Sequence, residues 1–486
     1  MTAPAPEAQW LRLSPRMLLV HPVHEVLRQV PVLIGSVALG SATGNPWWAV
    51  AALMGTLGVG IARWFTTTYR IGAEEVQLRA GVLQRRVLSV PRNRIRSVST
   101  DARLLHRVLG LAVLRVSTGQ EARGDDAFAL DAVDAAQVPH LRAELLAESL
   151  TIAADAEHRG RVLARWQPEW LRYSPLSFTG LAMIAAAAGL LYQAGAGALL
   201  RRTGLDEDGR DVAQRFGVAA TVAAVVLAVL IGSVVLSVLR SLLTYGNLLL
   251  RRDADVLHLE HGLLRRQEHT YDMRRLRGGT LREPLLVRAF GGARLDAVMT
   301  GVGGAGEAAV LLPPCPAATA RAVLSDLIAD GEEVTGPLHG HGAPAARRRW
   351  TRALAVPVAL GIALVVATVL TAPPLWLWAV WAVLTVCCAL LAADRVRALG
   401  HRVGNGWLVA RTGSLERRRD CIAGPGIIGW TVRQTFFQRR SGVATLIAAT
   451  AAGEKAYRVI DVPADAAWSI VAAASPWVRD VPWARG

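Results

Sequence analysis

Four stretches of this 486-residue chain contain no Asp, Glu, Lys, Arg or His: residues 29–62, 176–200, 216–239 and 353–393. A bilayer core about 30 Å thick takes roughly 20 apolar residues to cross as a helix. By that ruler the second and third stretches are one span each, and the first and fourth are long enough for two. Gly44-Asn45-Pro46 interrupts the first and Ala372-Pro373-Pro374 the fourth, each reading as a turn between two short helices. The expectation is a mixed membrane protein with six transmembrane helices in three hairpins. A cleaved leader is the rival reading of the first stretch. Glu7 and Glu25 precede it and a second apolar segment follows directly, so we read a retained anchor.

Charge orients these spans. Basic residues number 54 against 38 acidic ones, and three hairpins would put both termini and both long linkers on a common side, which holds 50 of the 54. The positive-inside rule makes that side cytoplasmic and the chain a multi-pass protein of the inner or plasma membrane. The loop 201–215, external on this reading, carries four Arg and is the feature that opposes it. Cys387 and Cys388 lie in the last span while Cys315 and Cys421 are isolated, which gives neither a disulfide framework nor a zinc spacing.

After each hairpin comes a segment that matches the others at fixed offsets. Gly81-Val-Leu-Gln-Arg becomes Gly262-Leu-Leu-Arg-Arg 181 residues on, and Gly413-Ser-Leu-Glu-Arg a further 151 on. At the same offsets Leu104-Leu105 falls on Leu285-Leu286 and Phe436-Phe437, and Gly110 falls on Gly291 and Gly442. In residues 75–79 apolar Val76 and Leu78 alternate with polar neighbours, the period of a half-buried strand. Return and later strands are predicted at 83–90, 94–100, 111–118 and 127–133, and closing helices at 138–149, 316–329 and 464–474. The resulting division is a juxtamembrane segment 1–28, hairpin 29–62, β domain 63–150, linker 151–175, hairpin 176–239, β domain 240–335, linker 336–352, hairpin 353–393, β domain 394–475 and tail 476–486.

This unit resembles the bacterial pleckstrin-homology (PH)-like membrane proteins of the YdbT type. The resemblance rests on GVLQRR at 81–86, VPRNRIRSV at 90–98 and LHRVLGLA at 105–112, with echoes in RRLR at 274–277 and VRAFG at 287–291. It implies a small β-barrel or sandwich with a C-terminal helix, repeated as a binding module on a membrane anchor, with a role in envelope maintenance or peptide resistance. The third copy departs from the pattern, because AGPGIIG at 423–429 replaces the Arg-rich strand opening and removes the counterpart of Arg94.

Arginines mark the candidate contacts with anionic lipid or partners: Arg85, Arg86 and Arg94; Arg265, Arg266 and Arg275; Arg417 and Arg418; and Arg347, Arg348 and Arg349 beside the third hairpin. The expected partners are anionic headgroups and another membrane protein of the same family or a second copy. Nucleic acid is not expected, since of the aromatics that would stack on bases only Tyr271 stands near the first two clusters. WLRLSP at 10–15 returns as WLRYSP at 170–175, so Trp10, Trp170 and Trp350 read as interfacial anchors.

Catalytic and metal readings are weak. GVGGAG at 301–306 fits a dinucleotide pattern but lacks a following helix. His339 with His341, His21 with His24 and His258 with His261 have no companion ligand at metal spacing. Asp125-Asp126 and Glu332-Glu333 read as turn acids. The expectation is a scaffold without cofactor, metal or catalytic set. A transporter or channel subunit is the alternative, disfavoured because the spans carry no Asp, Glu, Lys, Arg or His.

Overall fold

The computed structural model describes residues 10–12, 14–17, 47–72, 74–81, 85–92, 97–102, 104–117, 128–141, 160–177, 182, 185, 218–300, 309–371 and 373–480. These fall into two units, one within residues 1–165, 243–275 and 301–305, the other within 166–242, 276–300 and 306–486. Arg94, the loop 201–215, the GVGGAG segment, His21, His24 and Asp125-Asp126 lie outside the described residues.

In the first unit, β1 (Leu11–Arg12), β2 (Thr68–Ile71), β3 (Glu75–Ala80) and β4 (Arg86–Pro91) form a four-stranded sheet in that order. A second sheet has seven strands: β5 (Ser97–Ala102), β6 (Leu111–Ser117), β7 (Ala129–Asp134), β8 (Arg161–Arg165), β9 (Leu249–Asp253), β10 (Val256–His261) and β11 (Arg266–Asp272). Its order is β7-β6-β5-β11-β10-β9-β8. The alternation in β3 does what the sequence predicts: Val76 is 0% and Leu78 8% exposed, and they share a core with Val98, Leu114 and Leu130 of the next sheet and with Val138 and Leu141.

In the second unit the six-stranded sheet contains β12 (Leu276–Pro284), β13 (Gly292–Met299), β14 (Ala309–Pro316), β15 (Gly400–Gly404), β16 (Trp407–Thr412) and β17 (Glu416–Ala423), ordered β14-β13-β12-β17-β16-β15. A three-stranded sheet follows with β18 (Ile427–Arg433), β19 (Val443–Thr450) and β20 (Ala456–Pro463). Leu408, Ile422, Leu446 and Val459 from both sheets pack with Ile470 and Val471 of the helix Ala467–Ala474. The helix Ala317–Ile328 closes the second copy as predicted.

The aligned landmarks have a common geometry. Gly81, Gly262 and Gly413 turn the first hairpin at φ 124, 103 and 95°. A Cβ there would lie 2.0 Å from the Arg265 carbonyl oxygen at Gly262 and 1.9 Å from that of Glu416 at Gly413, so the turn closes only without a side chain. The pairs Leu104-Leu105, Leu285-Leu286 and Phe436-Phe437 each open a one-turn helix, and Gly110, Gly291 and Gly442 follow its end.

The repeats do not close their sheets separately. β5 of the first copy pairs with β11 of the second, and β12 of the second pairs with β17 of the third. Ser99 opposes His269 in one join and Thr280 opposes Asp420 in the other, and these are the same aligned positions. An unpaired strand edge leaves backbone donors and acceptors without partners, and the neighbouring copy supplies the missing strand.

Three helices among the described residues are long and apolar enough to cross a membrane: Val226–Tyr245, Gly342–Leu370 and Leu375–Ala398. Trp47–Thr66 forms a further apolar helix where the second span of the first hairpin is expected. The last two candidates pack as a hairpin after the predicted Pro373-Pro374 turn; Trp381 Nε1 donates to the Pro357 carbonyl at 2.8 Å. Residues 29–46 and almost all of 176–200 lie outside the described residues, and the expected first two hairpins fall largely on them.

Candidate functional site

Both joins between copies are held by buried acids and arginines. At β5–β11, Arg265 Nε donates to Asp101 Oδ1 at 2.6 Å and its Nη2 contacts the other carboxylate oxygen, while Asp101 is 4% exposed. At β12–β17, Arg282 donates to Asp296 at 2.7 Å and to Glu416 at 3.2 Å, and also reaches Glu454. Arg418 contacts Asp420 at 3.0 Å and Glu454 at 2.8 Å, and Thr280 Oγ1 donates to Asp420 at 2.7 Å. Burial raises the Asp420 carboxyl above its ordinary range, with Arg418 opposing that shift.

The two joins carry the same pair with its polarity reversed. By the repeat offsets Asp101 aligns with Arg282, and Arg265 with Glu416. Joining the first copy directly to the third would set Asp101 against Glu416, and joining the second to itself would set Arg282 against Arg265. Like charges at these positions disfavour both misassemblies.

Most of the arginines singled out in the sequence are therefore tied within the protein. Arg266 contacts Glu260 at 2.7 Å, Arg275 contacts Asp272 at 3.5 Å, and Arg417 contacts Asp394 at 2.6 Å. Arg348 and Arg349 meet Asp461 at 3.2 and 2.9 Å, where Asp461 is 0% exposed and also accepts from Gln438 at 2.7 Å. Arg347 is exposed without a partner among the described residues, and Arg85 and Arg86 are exposed beside and on β4. The acids that complete these pairs carry no local sequence signal; Asp461 stands 113 residues from Arg348.

The three tryptophans differ. Trp350 is 36% exposed at the start of the third hairpin. The Arg79 guanidinium lies over the Trp10 ring at 3.6 Å, and the neighbouring Leu11–Arg12 pairs with β2 as a strand. Trp170, expected at the headgroup layer, is instead 3% exposed, because WLRYSP folds as 3-10 turns that also bury Tyr173. The described residues of these two similar hexapeptides thus differ in conformation.

An apolar surface escaped the sequence reading. Phe436 and Phe437 are 75% and 67% exposed beside Arg439 and Arg440, and Phe290 is 63% exposed. The polar ends of the third hairpin adjoin both one-turn helices: Arg348 reaches Thr435, and Asp394 meets Arg288 at 2.8 Å. The aromatic pairs were legible as repeat markers, but exposure depends on tertiary packing.

Histidines form a pH-sensitive cluster in the second unit. His341 and His401 share a hydrogen bond of 2.9 Å, and the His339 and His401 backbones bridge. Burial, then His341 and His339, pushes His401 down to about 4, and burial lowers His341. The unfolded chain takes up the His401 proton near 6.5 and the folded one does not until about pH 4, so stability falls as pH drops through that window, and the lowered His341 adds in the same direction. The expected slope is up to about 1.4 kcal/mol per pH unit for each histidine, measured by thermal unfolding; His401→Phe should flatten it.

The sequence model of a family described as bacterial PH domain matches residues 26–149, 185–329 and 353–471. The match reaches the family level and does not separate the YdbT type within it. No curated protein and no solved structure matches the chain.

Proposed function

The chain belongs to the bacterial PH domain family, and from that premise we propose that it is a non-enzymatic scaffold with three hairpins in the membrane and its PH-like repeats in the cytoplasm. The observation that carries this reading is the pair of charge-complementary joins, which spend the repeats' acids and arginines on each other. An assembly of PH-like halves follows from that use of charge. Anionic headgroups are a lesser ligand on this reading, since few of the candidate arginines remain uncommitted. The resemblance alone supports a role in envelope maintenance or peptide resistance.

The joins are tested by a charge-swap cycle at Asp101 and Arg265. Asp101→Arg and Arg265→Asp should each cost about 1–3 kcal/mol, between the values for exposed and buried pairs because the Arg265 side chain is 41% exposed. The double swap should recover most of the loss in thermal unfolding. Single effects that simply add would sink the reading. Topology is tested separately: reporters fused after Ser149 and Asp330 should read cytoplasmic, and an external signal at either would remove the cytoplasmic assignment.

A further inference from the structure

The series of joined sheets ends at strand edges that lack a strand partner among the described residues, and β18 is one of them. By the repeat offset of 151, β18 aligns with β12, which puts Thr431 on Thr280 and Arg433 on Arg282. In β12 these are the side chains that hold β17, through Asp420 at 2.7 Å and Glu416 at 3.2 Å. In β18 both are exposed, Ile428 between the strand start and Thr431 is 67% exposed, and Arg433 has no partner among the described residues. The third copy therefore presents the same Thr-x-Arg edge with no strand paired to it among the described residues.

A second copy of this chain does not supply the matching strand. Its counterpart of β17 is β4, and by alignment the sequence there has Gln84 and Leu88 where Glu416 and Asp420 stand in the third copy. The register of the two internal joins would also set Arg86 opposite Arg433. Arg282 and Arg418 oppose each other in the internal join, but there Asp296, Glu416, Asp420 and Glu454 neutralise them. Ile447 stands where Asp296 would align, so no such acid is provided.

We propose that β18 is a docking edge for an antiparallel strand of another polypeptide, one carrying a glutamate and an aspartate four residues apart toward Arg433 and Thr431. The added strand extends the three-stranded sheet by backbone hydrogen bonds, and the two acids fix register, as in strand-addition recognition generally. This names the partner chemistry of the scaffold reading and rests on it.

The test uses the full chain in nanodiscs and two labelled peptides, residues 413–423 with Cys421→Ser, and residues 81–91. The first should bind saturably and at least tenfold more tightly than the second. Arg433→Glu should weaken it at least tenfold, and a Glu416→Arg peptide should restore binding to that variant. A photoreactive residue at Ile428 should crosslink the bound peptide. Absence of saturable binding, equal binding of the two peptides or indifference to Arg433→Glu would overturn the proposal. So would a disulfide in oxidised membranes between Thr431→Cys of one copy and Leu88→Cys of another. Any of these leaves the Asp101–Arg265 cycle unaffected, whereas failure of that cycle removes the scaffold reading itself.

Discussion

Asp461→Ala is expected to destabilise the third repeat by about 3–5 kcal/mol, the cost of leaving buried cations without their anion. Arg348 and Arg349 are 6% and 16% exposed in their side chains and converge on this one carboxylate. The Arg348 contact is a hydrogen bond; Arg349 lies at 2.9 Å as an ion pair. Because both arginines stand in the helix Gly342–Thr371, the acid also ties the start of the third hairpin to β20. Thermal unfolding in nanodiscs measures the loss. Adding Arg348→Met and Arg349→Met to Asp461→Ala should recover much of it, since apolar replacement of a whole buried ion cluster costs little. A loss below about 1 kcal/mol would mean that water reaches these guanidinium groups.

Gly278→Ala should open the join between the second and third repeats. Gly278 sits at φ 143° opposite Ile422, and a Cβ there would lie 1.8 Å from the Cys421 carbonyl oxygen. That atom belongs to the β17 backbone and cannot swing aside as a side chain would. Backbone strain of about 1–3 kcal/mol adds to overpacking of similar size, together roughly 2–6 kcal/mol. Hydrogen exchange should accelerate at the amides of 418–422 more than in β19. Gly291→Ala is the control: its φ is 74° but nothing lies within 4 Å of the added methyl, so only about 1–2 kcal/mol of left-handed strain is expected. Equal effects of the two substitutions would show that the close approach of β12 to β17 does not matter.

The repeat was legible because it is written in residues whose role is local. A glycine that must adopt positive φ, or an apolar pair opening a one-turn helix, marks its position wherever the rest of the chain goes. The predicted return strand at 83–90 and the observed Arg86–Pro91 differ by a few residues for the same reason: hairpin turns are encoded locally, strand ends by pairing. What strand lies beside β5 was not legible. Ser97–Ala102 meets a strand almost 170 residues away, and no local pattern names that partner. The charge of Arg347, Arg348 and Arg349 beside a span suggested headgroups, yet Asp461 turns two of them inward. Trp170 shows the same limit from the apolar side, since an indole beside an arginine serves a membrane interface or a protein core with equal composition.

Strands of successive repeats share a sheet. Thr100 and Glu268 oppose each other across β5 and β11, and opposed antiparallel residues have Cα atoms about 4.5–5.5 Å apart, within disulfide reach. Cysteines at these two positions, in a chain with a protease site inserted between residues 151 and 159, report the join directly. After oxidation in native membranes and cleavage, the fragments should remain linked on a non-reducing gel and part on reduction. Fragments that separate without reductant would contradict the join.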